Sequence, residues 1–169
     1  QSMPDHWGFK QLFPVMPIHR LEQEPTRRGI FADLTCDSDG KIGLFIDQHD
    51  VRDTLELHSL NGQPYYIGVF LVGAYQEILG DLHNLFGDTH AVHVRVDDDG
   101  KTHIEHVVEA DKVREVLDYV EYDSRELVGR VEAALAIARE RGDLGAEESE
   151  NLLRRYQAAL EETTYLSRD

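Results

Sequence analysis

The stretch Cys36-Asp37-Ser38-Asp39-Gly40 sets the only thiol of the chain beside two carboxylates and a turn-forming glycine. A cysteine acting as nucleophile or metal ligand works as a thiolate, and neighbouring carboxylates disfavour that form. On spacing alone, the simplest account of Cys36 is a small buried hydrophobe next to an Asp/Ser turn.

Two other groupings have chemical potential. His90, His93, His103 and His106 straddle an expected hairpin, where a cross-strand pair could offer two imidazoles to a metal. Strand alternation sends His90 and His93 to opposite faces, and His103 and His106 likewise, so no metal site is assigned. Gly73-Ala74-Tyr75, between an apolar run and a helix-like segment, could hold a phosphate with backbone N–H groups and a phenol hydroxyl. The pair Tyr65-Tyr66 reads as sheet core, and the acidic stretches of the last segments as solvated helix faces.

These residues need elements to position them. Residues 1 to about 25 interleave Pro4, Pro14, Pro17 and Pro25 with Trp7, Phe9 and Phe13, the pattern of an extended arm without regular structure. Strands are expected over Gly29 to Thr35, Thr54 to His58 and Tyr65 to Val72, the last almost wholly apolar and so central in a sheet. A short helix should cover residues 74–85. A hairpin should follow, with Ala91 to Val96 and Thr102 to Glu109 joined by Asp97-Asp98-Asp99-Gly100, and with Ile104, His106 and Val108 on one side. Helical periodicity then runs over Asp111 to Val120, Ser124 to Arg141 and Ala146 to Leu160. The expected organisation is an arm (1–25), a mostly antiparallel β domain (26–109) and a helical extension (110–169), which makes the fold class α+β.

With 169 residues the chain can bury one good core but cannot build a complete (β/α)8 barrel. Its 33 acidic against 17 basic residues, a net charge of -16, argue against nucleic acid or membrane partners, both of which reward clustered Lys and Arg. A hydrophobic content of 41% in periodic blocks argues for a folded chain. One cysteine permits no internal disulfide and fits a reducing compartment, so the expected location is the cytoplasm. No apolar run is long enough to span a bilayer, and Gln1-Ser2-Met3-Pro4-Asp5 lacks the pattern of a signal peptide. A start at Gln1 without an initiator Met reads as a fragment or processed piece.

Several blocks, in this order and spacing, closely resemble the biosynthetic arginine decarboxylase family. They are Met16-Pro17-Ile18-His19-Arg20-Leu21, Pro25-Thr26-Arg27-Arg28, Asp33-Leu34-Thr35-Cys36-Asp37-Ser38-Asp39-Gly40-Lys41-Ile42 and the run from Gly68 through Gly73-Ala74-Tyr75-Gln76 to Phe86-Gly87. The likeness continues through Ala91-Val92-His93-Val94 and into Thr164-Tyr165-Leu166, and so covers nearly the whole chain.

The resemblance implies the C-terminal β domain and helical extension of an alanine-racemase-like decarboxylase. The barrel that supplies the lysine for pyridoxal phosphate is a separate N-terminal part. It implies a homodimer or higher homo-oligomer with the site at the subunit interface, arginine as substrate, and magnesium as an admitted ion of the full-length family. Cys36 would face the reacting carbon and deliver the proton that replaces departing carbon dioxide, a task for which a protonated thiol is the right form. Asp37 would bind the guanidinium of arginine, and Tyr75 the phosphate of the cofactor. Asp39, His83 and Asn84 are weaker candidates, Asp39 for shaping the turn and the other two for the site wall. The isolated chain is expected to be inactive. Two alternatives remain: a non-catalytic dimerisation or regulatory module of the same fold, and a decarboxylase for diaminopimelate, ornithine or carboxynorspermidine.

Overall fold

The computed structural model describes residue 6 and residues 11–32, 40–73, 75–80 and 82–165. It is α+β, with ten short strands in antiparallel pairs and three longer helices among the described residues. Contacts divide it into two compact units, residues 2–84 and 85–169.

The first unit holds β1 (Val15–Pro17), β2 (Arg27–Gly29), β3 (Phe31–Ala32), β4 (Lys41–Ile42), β5 (Phe45–Ile46), β6 (Val51–Arg52), β7 (Leu55–Leu57) and β8 (Ile67–Val69). The described pairs are β1 with β8, β2 with β7, β3 with β4 and β5 with β6. Val15, Ile42, Phe45 and Leu55 form the buried core, and Phe31, Leu57, Ile67 and Val69 pack against it. Phe31 and Phe45 meet with ring centroids 6.3 Å apart.

Two expectations change here. The proline-rich arm is not wholly irregular: Val15 and Pro17 turn inward, Met16 outward, and the three residues pair with Val69, Gly68 and Ile67. Pro17 ends the strand, where its missing N–H costs least. The apolar run from Tyr65 to Val72 yields a strand of only three residues, paired among the described residues with β1. Leu71, at φ 64, breaks the extended backbone and leaves its side chain 84% exposed.

The segment expected as one helix over 74–85 is shorter and interrupted. Helix α1 (Gln76–Gly80) spans five residues, and a 3-10 turn, His83–Leu85, follows. Gly80 is a weak helix former, and Asn84 and Leu85, at φ 55 and 60, take the left-handed conformation that stops a helix.

The second unit holds the hairpin β9 (Ala91–Val96) and β10 (Thr102–Val108) and helices α2 (Val113–Tyr119), α3 (Ser124–Glu140) and α4 (Ala146–Leu160). All lie close to where periodicity expects them. In the turn, the Gly100 N–H donates to the Asp97 carbonyl at 2.9 Å. One detail differs: the register shifts between Ile104 and His106, so His106 lies opposite His93 and Val107 opposite Val92. That bulge puts Val92, Val94, Val96, Ile104 and Val107 on one face, instead of grouping Ile104 with His106. Asp123 caps α3 by accepting the Arg125 N–H at 2.8 Å. Glu147 and Glu148 occupy the first turn of α4, where the helix dipole favours them. Ala110, Val116 and Leu160 are the buried apolar residues of this unit. No helix among the described residues is long and apolar enough to cross a membrane.

Candidate functional site

Cys36, Asp37 and Asp39, with Ser38, lie outside the described residues. The strands on either side of them are described. β3 and β4 pair as Ala32 with Lys41 and Phe31 with Ile42, and Ile42 together with Phe45 anchors this pair in the core.

Tyr75 stands on the turn that leads from β8 into α1, with its side chain 53% exposed. Gly73 enters this turn at φ 143, a conformation that an L side chain rarely adopts, so residue 73 is tied to glycine. Tyr75 thus lies six residues beyond the end of β8 and directly before α1, so the strand end expected to carry it is not where it stands. Helix α1 is too short for its dipole to add much. His83 and Asn84 follow on the far side of α1, Asn84 in a left-handed conformation that asparagine tolerates better than most residues.

A polar network in the same unit has no counterpart in the reading of the sequence. His58 is buried; its Nε2 lies 2.8 Å from the Gln23 carbonyl and its Nδ1 2.7 Å from the Tyr65 hydroxyl. A carbonyl only accepts, so Nε2 carries the hydrogen and Nδ1 accepts from the Tyr65 O–H. The Tyr65 oxygen in turn accepts the His58 backbone N–H at 3.1 Å. Both ring nitrogens of His58 are thereby engaged. His19 does the same work beside it: Nε2 accepts the Tyr66 N–H at 2.6 Å, and its ring lies 5.0 and 5.6 Å from those of Tyr65 and Tyr66. The two tyrosines thus serve a histidine cluster rather than the sheet core. No local pattern in the sequence signals this cluster; only strand pairing brings the partners together.

The hairpin histidines disperse. His93 and His106 meet edge to face at 5.6 Å. The Nδ1 of His90 accepts the Ala110 N–H at 3.0 Å, and Nε2 of His103 lies 2.8 Å from Asp97 Oδ2. Asp97 also accepts N–H bonds from Lys101 and Asp99, and these contacts, His103 foremost, hold its carboxyl below the ordinary range. Glu161 is held low by Lys112 and Arg114, each at 3.0 Å, which tie the start of α2 to the end of α4.

Residues 113–166 match the family described as arginine decarboxylase C-terminal helical extension. The chain is 55% identical over 168 residues to the biosynthetic arginine decarboxylase of a Nostoc species, covering 99% of this chain and 25% of that protein. It is 52% identical over 167 residues to that of Phocaeicola vulgatus, covering 98% and 26%. The crystal structure of the biosynthetic arginine decarboxylase SpeA from Campylobacter jejuni superposes with a TM-score of 0.81 at 33% identity, covering 100% of this chain and 28% of that one. The chain therefore spans about a quarter of the length of the curated relatives it matches. The resemblance read from the sequence blocks holds, and so does the α+β fold.

Proposed function

We infer that this chain belongs to the biosynthetic arginine decarboxylases and forms the C-terminal quarter of one. The observation that carries the inference is the correspondence of 98–99% of the chain, at 52–55% identity, with that part of the relatives. The match of residues 113–166 to the helical extension of the same enzymes supports it independently. The whole protein then converts L-arginine to agmatine and carbon dioxide in polyamine biosynthesis, in the cytoplasm, as a homo-oligomer with the site at a subunit interface.

Pyridoxal phosphate fits the residues that are described to the extent that an exposed phenol stands at the turn after β8. When bound, it supplies the electron sink that makes loss of carbon dioxide feasible. Tyr75 would hold the cofactor by donating its hydroxyl hydrogen to a phosphate oxygen. Asp37 pairs its two carboxylate oxygens with the substrate guanidinium, a fork-to-fork contact that a single ammonium cannot reproduce. Cys36 would serve as the proton donor, its Sγ–H supplying the hydrogen to the carbon vacated by carbon dioxide.

The test is substrate competition on the full-length protein. Carbon dioxide release from arginine should exceed that from ornithine, lysine and diaminopimelate, with agmatine as the amine product. Preference for another amino acid would refute the arginine assignment. The same assay on the 169-residue chain alone should give no agmatine, because the cofactor lysine is assigned to the barrel.

A further inference from the structure

Two arginines in the sequence blocks singled out above remain without a role in this reaction. Arg20, in Met16-Pro17-Ile18-His19-Arg20-Leu21, donates Nη1 to the Ser59 carbonyl at 3.0 Å and Nε to Gln23 Oε1 at 2.8 Å. Its guanidinium carbon sits 6.0 Å above the Tyr65 ring. Arg27, in Pro25-Thr26-Arg27-Arg28, donates Nε to Ser59 Oγ at 3.2 Å, and that oxygen shares a bond of 3.3 Å with Thr26 Oγ1. Both guanidinium groups therefore converge on one serine.

Among the described residues every partner of these two cations is neutral. Among the described residues neither Arg20 nor Arg27 has a carboxylate within ion-pair distance, although Glu22 and Glu24 lie in the same turn of a chain with net charge -16. The other arginine clusters differ. Arg114 and Arg125 border a cleft of about 440 Å³ between the helices, and there Glu161 and Asp123 already match them. Arg28, one residue along β2, faces Glu56 at 3.9 Å. Like charges brought together repel, and in a strongly acidic chain a matching carboxylate would be easy to supply.

The cluster is also held in place. Arg20 has φ 59, a left-handed conformation that costs about 1 kcal/mol or more for a residue with a side chain, and the Gln23 N–H to Arg20 carbonyl bond at 3.0 Å keeps it there. Arg20 spends two of its five N–H groups and Arg27 one, so seven donors stay available on two planar forks. A single carboxylate engages one fork. A tetrahedral dianion can engage both and matches the charge of two.

We propose that Arg20 and Arg27, gathered on Ser59, form a binding site for a phosphate dianion, free or as a monoester. The proposal gives Arg20 and Arg27 a ligand of their own and does not draw on the roles assigned to Cys36, Asp37 and Tyr75.

The experiment follows the Arg Nε–H resonances of the full-length protein by NMR during titration with inorganic phosphate, with phenyl phosphate and with acetate, each at about 0.15 M salt so that the overall charge is screened beyond about 8 Å. Saturable shifts at Arg20 and Arg27 with phosphate, and weak linear ones with acetate, are expected. Tighter binding of phenyl phosphate than of phosphate points to an ester, and the reverse to the free ion. Arg27→Gln should raise the half-saturating concentration about tenfold or more, and Arg28→Gln should leave it unchanged. Arg20→Lys and Arg27→Lys, which keep charge but lose the fork, should weaken binding as well, with unchanged circular dichroism. Non-saturating shifts, equal response to acetate, or equal effects of Arg27→Gln and Arg28→Gln would overturn the proposal.

Discussion

Tyr165 donates its hydroxyl hydrogen to the Gly87 carbonyl at 2.7 Å, joining residues 78 positions apart. The Gly87 N–H donates to Thr164 Oγ1 at 3.0 Å, and Phe86 stacks on Tyr165 at 5.5 Å. The dipeptide Thr164-Tyr165 thus bonds both the N–H and the C=O of the buried Gly87. A Cβ on Gly87 would fall 2.5 Å from Asp111 Cβ and 3.1 Å from Val116 Cγ2. Asp111 cannot move away cheaply, because its Oδ2 accepts the Asp88 N–H at 2.9 Å.

Gly87→Ala should therefore destabilise the helical unit by about 1–3 kcal/mol through overpacking. Tyr165→Phe, which leaves the Gly87 carbonyl without this donor, should cost about 1 kcal/mol. Urea unfolding monitored by helix signal measures both. An unchanged midpoint for Gly87→Ala would contradict the close approach.

How far sequence reasoning reached depends on the range of the forces involved. Helices α2, α3 and α4 are legible because helical periodicity acts within a turn or two, although the cap of α3 is Asp123 and not Ser124, and the hairpin because Asp97 to Gly100 encodes its own reversal. The bulge at Glu105 was not, since only the demand for a common apolar face with Val92 and Val94 moves Val107 across. The strand at Val15–Pro17 was missed for a similar reason: its partner lies some fifty residues away, beyond any local pattern. For the site, spacing alone made Cys36 an ordinary buried thiol. Its role, with those of Asp37 and Tyr75, came through the resemblance of whole blocks. The sequence places His58 at a strand end and Tyr65 in a sheet core, and only the turn between β7 and β8 brings hydroxyl and imidazole together.

The hairpin turn should respond to acid in a particular direction. Asp97 accepts from Lys101 and Asp99 and faces His103, and its carboxyl titrates below the ordinary value of about 3.9. For a depressed folded value, the stabilisation is fully present above the unfolded value and is lost as the pH falls through the folded one. The Lys101 amide resonance should move in the acid range below about 4, where Asp97 takes up its proton. Asp97→Asn should flatten that transition; a transition of the same size in this variant would assign it to another group.

Much apolar surface stays open on the described residues, including Leu60 at 75%, Ile78 at 76% and the hairpin face with Ile104 at 68% exposed. A chain that represents a quarter of its relatives would present such surfaces where the remainder of the enzyme docks. The isolated chain should bind an apolar dye and self-associate in sedimentation, with the associated fraction rising with concentration. A dye-silent monomer would show that these residues need no cover.

The roles assigned to Cys36 and Asp37 separate in steady-state kinetics of the full-length enzyme. Cys36→Ala removes a proton donor that acts after binding, so kcat should fall about a hundredfold or more while arginine affinity changes little. Asp37→Asn keeps the shape but loses the charge that pairs with guanidinium, so arginine binding should weaken about tenfold or more. Asp37→Asn should also narrow the preference for arginine over ornithine, because the neutral amide serves both cations poorly. If Cys36→Ala left turnover unchanged, or if its whole effect appeared in KM, the proton would have to come from another group.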